Sequence, residues 1–181
     1  MSLIAARPES KPFELPAEGA GQAVISEVED LGLQDQTYNG VTTKVYKIAL
    51  WWQFAELDSE KKPKRIREKY TKSLHEKARL YARVKGLFGK EPPLTLDLGV
   101  LVGTNRNVTV VHTEGKGKDN QPRTYANIVA TLKLNQGQAK LEIVPRPKKD
   151  EVKAAVAAAV NAVQSSAITD AAPIVDDDIP F

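Results

Sequence analysis

Alternation of apolar and polar side chains marks several strands along residues 19–134, with one stretch switching to helical spacing. Gln22 to Leu31 alternates imperfectly as a first strand, Asp35 to Gly40 ends in an Asn-Gly turn signal, and Val41 to Phe54 reads as a long second strand. After a break at Lys61-Lys62-Pro63-Lys64-Arg65, Ile66 to Leu74 predicts a third strand. His75 to Phe88 then sets Ala78, Leu80, Tyr81, Val84, Leu87 and Phe88 near helical spacing, stopped by Gly89 and Pro92-Pro93. Asn107 to His112 and Thr124 to Leu134 add two more strands, separated by the Gly- and Lys-rich Glu114 to Pro122.

Three strands, a helix and two strands is the element order of an OB-fold. This mainly β, five-stranded Greek-key barrel carries its helix between strands 3 and 4, and binds oligonucleotides across strands 2 and 3 and with its 1–2 and 4–5 loops. A small mixed α+β sheet without barrel closure is the alternative. On the second strand Tyr46, Ile48, Leu50, Trp52 and Phe54 share the face expected to form the core, with Lys44 starting that row near the strand end, where it reaches water. The other face shows Val45, Lys47, Ala49, Trp51 and Gln53.

Trp51 is therefore the first candidate for base stacking, which is worth roughly 1–3 kcal/mol per base whatever the base. Packing under a loop or a partner subunit is the alternative role for this ring. On the third strand Arg65, Arg67 and Lys69 share a face and fall near Lys47 and Trp51 if strands 2 and 3 pair; such cations neutralise phosphates, and Arg also stacks on bases. Tyr70 falls in the opposite row and is expected to be buried. The 4–5 loop contributes Lys116, Lys118 and Arg123, while Tyr38 and Tyr125 are placed to extend a stacking path. Lys61 to Arg65 also has the composition of a nuclear-localisation patch, but ranks first as a basic hairpin loop touching DNA.

Composition sharpens this picture. At 181 residues there is room for one domain plus tails. The expected division is a flexible arm at 1–18 containing Pro8, Pro12 and Pro16, a folded domain at 19–147, a flexible linker at 148–172 rich in Ala and Val, and an acidic tip at 173–181, the linker and tip forming a disordered tail. As a coil, the linker reaches roughly 25 Å. Net charge is +3, but residues 150–181 hold six acids against the single Lys153, leaving the tail at −5 and residues 1–149 at +8. A basic body with an acidic tail fits a polyanion binder, because clustered cations release counterions from phosphate while the tail is repelled.

Cysteine is absent, excluding disulfides and thiolate chemistry, and no apolar run approaches a membrane span, so a cytoplasmic protein without membrane contact is expected. His75 and His112 are the only histidines, no phosphate loop or nucleophile elbow is present, and the acids of the body are dispersed. No enzyme activity, cofactor or metal is expected.

The chain closes on Asp176-Asp177-Asp178-Ile179-Pro180-Phe181. Three acids steer the segment toward basic surfaces, Pro180 limits its freedom, and Phe181 can fill a small pocket with its carboxylate captured by Arg or by backbone amides. These six residues closely resemble the acidic tip of bacterial single-stranded DNA-binding proteins. Upstream, Ala172-Pro173-Ile174-Val175 lacks the Met-Asp-Phe-Asp run often found there in that family, and the body looks most similar to divergent phage or mobile-element members. The resemblance implies sequence-independent coating of single-stranded DNA in a bacterial cell, with the tip recruiting replication, recombination or repair enzymes. Self-association through the arm would make a homo-oligomer. Two rival readings are a strand-annealing or recombination-mediator protein, and an adaptor whose body docks protein rather than DNA.

Overall fold

The computed structural model describes residues 14–117 and 120–146. The chain divides into two units, Met1–Val144 and Pro145–Phe181, and every element below belongs to the first. Lys118, the expected linker and the tip Asp176–Phe181 lie outside the described residues.

Five antiparallel strands form one open sheet in the order β3-β2-β1-β4-β5: β1 (Gly19–Tyr38), β2 (Val41–Leu57), β3 (Pro63–Thr71), β4 (Asn105–Lys116) and β5 (Pro122–Leu132). One short helix, α1 (Arg79–Phe88), and a 3-10 turn at Leu98–Leu101 lie between β3 and β4. This mainly β arrangement is consistent with an OB-like fold. Among the described residues no helix is long and apolar enough to cross a membrane.

β1 and β2 join through Asn39 and Gly40, both at positive φ (49° and 77°), as a two-residue turn matching strand twist requires. Two irregularities in β1, between Ile25 and Glu27 and between Asp30 and Gly32, bend it. Its first part, Gly19 to Val24, pairs with β4, and Ala23 to Tyr38 pairs with β2. At the second irregularity the Gly32 amide donates to Asp30, and Asp30 is paired with Lys72; these contacts hold its carboxyl below the usual range, the Lys72 bond being the larger cause.

The core lies on the inward face of the bent sheet. Ile48, Leu50, Trp52 and Phe54 of β2 pack with Ile25, Ile66, Tyr70, Val108, Val110 and Ile128. The burial of Trp52 and Tyr70 follows the two-residue period. Tyr46, expected in the same row, is 57% exposed. It pairs with Leu33 on a hairpin arm that runs past Thr71, the last residue of β3, so it stands beyond the layer that covers Ile48.

Helix α1 closes the core with Leu80, Val84 and Leu87, spaced to share one face, and ends at Gly89 in the left-handed region. It begins at Arg79 rather than His75. Ser73 accepts from the His75 amide and the His75 ring accepts from the Lys77 amide, so side chains engage the backbone in a turn where a helix would otherwise begin.

Residues 14–18, the described end of the expected arm, are also tied down. Pro16 is buried, its carbonyl meets the His112 ring, and the Ala17 amide donates to Glu56.

Candidate nucleic-acid interface

Antiparallel register decides which side chains share the outer face of β1, β2 and β3. Lys47 lies across from Gly32 and Thr71, Ala49 from Glu29 and Lys69, Trp51 from Glu27 and Arg67, and Gln53 from Val24 and Arg65. Trp51, Lys47, Arg65, Arg67 and Lys69 are thus brought onto one face.

Trp51 is half-buried, and a carboxylate orients it. Its Nε1 donates to Glu29 Oε2 at 2.8 Å, the same oxygen accepts from Arg67 at 3.1 Å, and the Arg67 guanidinium lies 5.3 Å from the ring centroid. Ser26, the extra residue of the first irregularity, donates its hydroxyl to the Trp51 carbonyl. Arg67 therefore meets an acid as well as an aromatic face. A phosphate arriving there competes with Glu29 for the guanidinium.

Residues 133–144, which follow β5, cross the outer face as a strap held by polar side chains. Gln138 exchanges hydrogen bonds with Asn107 of β4, and Ala139 accepts from Gln22 of β1. Asn105 accepts from the Leu141 amide at 2.8 Å. Gln53 of β2 donates to the Glu142 carbonyl at 2.7 Å and accepts from the Val144 amide at 2.9 Å, while Arg65 of β3 donates to the Val144 carbonyl.

Gln53, expected on the open face beside Trp51, is therefore covered and 3% exposed, and Arg65 serves as a strap anchor. Replacing Gln53 by Leu leaves both backbone groups of the strap without their buried partner. The expected loss is about 1–3 kcal/mol of stability, with faster hydrogen exchange at Val144. Urea unfolding and exchange measured on the same variant check both effects.

The other candidates lie apart from this cluster. Lys44 is on the exposed hairpin arm across from Asp35, and Tyr38 flanks the turn at 73% exposure. Lys116, Arg123 and Tyr125 sit on the β4–β5 hairpin, which the sheet register sets at the opposite end from the β1–β2 turn. Tyr125 lies against Gly115, where a Cβ would come within 3.1 Å of its ring, and its hydroxyl meets the Lys116 carbonyl. No family model matches the chain, and no curated protein matches it either.

Proposed function

We propose that this protein binds single-stranded DNA without sequence preference, coating and protecting exposed strands in replication, recombination or repair. In this reading the sheet is an OB-fold and acts by binding rather than catalysis, and residues Asp176 to Phe181 recruit partner enzymes in a bacterial or phage setting. The observation that carries the reading is the outer face of β2 and β3, where Trp51, Arg67, Lys69 and Lys47 occupy consecutive rows. An aromatic ring flanked by cations suits any base, since every base has a π-face and every nucleotide a phosphate. The resemblance of the tip supports the recruiting role.

Titrating the full chain with an oligo-dT strand and with a duplex of equal length, at two salt concentrations, tests the reading. Tight, salt-sensitive binding to the single strand with weak duplex binding is expected. Tryptophan fluorescence should report it through Trp51, because Trp52 is fully buried with its Nε1 bound to Glu68. Equal affinity for both DNA forms, or none for either, overturns the proposal.

A further inference from the structure

Where the outer face of β2 and β3 meets the β3–α1 connection, a groove of about 530 Å³ opens. Lys47, Lys69, His75, Lys77 and Arg79 line it together with Tyr70, and among the described residues no Asp or Glu does. The ion pairs Lys62–Glu60, Lys64–Glu56, Arg67–Glu29, Lys72–Asp30, Arg83–Glu68 and Lys85–Glu91 engage none of these lining cations. Arg79 instead lies over the Tyr70 ring, 5.8 Å from its centroid. Several like charges facing one concavity repel one another and concentrate anions.

The groove continues the Trp51 platform. Lys69 follows Arg67 by one row along β3, and Lys47 lies two rows from Trp51 along β2. The turn that keeps residues 75–78 out of the helix leaves Lys77 on the connection, and Arg79 opens α1.

We propose that this groove is a phosphate-binding track for the same nucleic-acid strand, holding its phosphodiester backbone after its bases leave Trp51 and leading it toward the start of α1. This inference rests on the single-strand-binding reading above. A flexible strand can bend from the sheet into such a concavity, and its phosphates then replace the missing carboxylates. The footprint is accordingly longer than the sheet face alone demands.

The test measures binding of an oligo-dT length series across several salt concentrations, using the full chain and two variants. Lys77→Ala/Arg79→Ala removes one cation from the connection and one from the start of α1. Lys47→Gln/Lys77→Gln keeps the Arg79–Tyr70 contact, should the first variant fold poorly. Lys90→Gln, a charge change away from the groove, serves as the control.

Each groove variant should lower the slope of log affinity against log salt by about 1.4, at roughly 0.7 per phosphate contact. Each should also reach its maximal affinity on shorter strands, while Lys90→Gln matches the wild type. Unchanged slopes and length dependence in both variants, with wild-type binding intact, overturn the groove alone. Absence of single-strand binding by the wild type overturns the underlying reading and the groove with it.

Discussion

Replacing Arg83 by Ala should destabilise the protein by about 3–5 kcal/mol, the usual consequence of removing one partner from a buried ion pair. Arg83 reaches from α1 across the open side of the sheet. It donates to Glu68 Oε1 at 2.7 Å and to the Tyr70 hydroxyl at 2.9 Å on β3, and to the Ile128 carbonyl at 2.9 Å on β5. The two edge strands, which share no ladder, are thereby joined through one guanidinium.

Glu68 is the hub of this network, accepting also from Trp52 Nε1 and the Tyr70 hydroxyl, each at 2.8 Å. The Arg83 and Glu68 side chains are 13% and 11% exposed, so solvent screens them little. Burial opposes the charge on Arg83, but Glu68 and Tyr70 outweigh it and raise its pKa. Burial, reinforced by Glu68, pushes the Tyr70 hydroxyl up, so it stays protonated and able to donate. Without Arg83 the Glu68 carboxylate is left inside with only neutral donors.

Urea unfolding followed by tryptophan fluorescence measures the loss, and a change below about 1 kcal/mol would contradict the assigned role. Arg83→Met combined with Glu68→Gln should recover much of the stability. Removing both charges also removes the desolvation cost that makes a lone buried charge so unfavourable.

That network shows how much of the protein was legible in its sequence. The order of strands and helix was readable because core burial imposes a period of two on β2 and brings Leu80, Val84 and Leu87 onto one face of α1. Strand ends were less readable. The distal hairpin, with Gln34, Asp35, Gln36 and Thr37 across from Val45, Lys44, Thr43 and Thr42, is held by its ladder and by contacts such as the Thr37–Thr42 hydroxyl pair, which leave no apolar pattern.

The carboxylate beside Trp51 was hidden by a count of one residue. From Ile25, a strict two-residue period sends Glu27 and Glu29 into the core. The irregularity at Ser26 reverses the facing and sets them on the outer surface. The strap was invisible for a different reason: its anchors Asn107, Gln22, Asn105, Gln53 and Arg65 are single polar residues on four strands, and only the folded sheet brings them into line.

Trp51→Ala should weaken single-stranded DNA binding by roughly 1–3 kcal/mol, or about 5- to 150-fold, if one base stacks on the ring. Trp51→Phe separates stacking from scaffolding, since it keeps a π-face while losing the Nε1 donor to Glu29. Retained affinity in Phe with loss in Ala identifies stacking; equal loss in both identifies the Glu29 contact as the contribution that matters.

Glu29→Gln gives the opposite sign. Its carboxylate holds both Trp51 and Arg67, so neutralising it removes a negative charge from the face and releases Arg67 for phosphate. Affinity should rise and the salt dependence steepen, whereas Arg67→Ala should reduce the salt slope by about 0.7. Fluorescence anisotropy of labelled oligo-dT, measured for all four variants across a salt series, distinguishes these effects. A Glu29→Gln protein that binds more weakly than the wild type would mean that the Trp51 ring must be held by its carboxylate partner to receive a base.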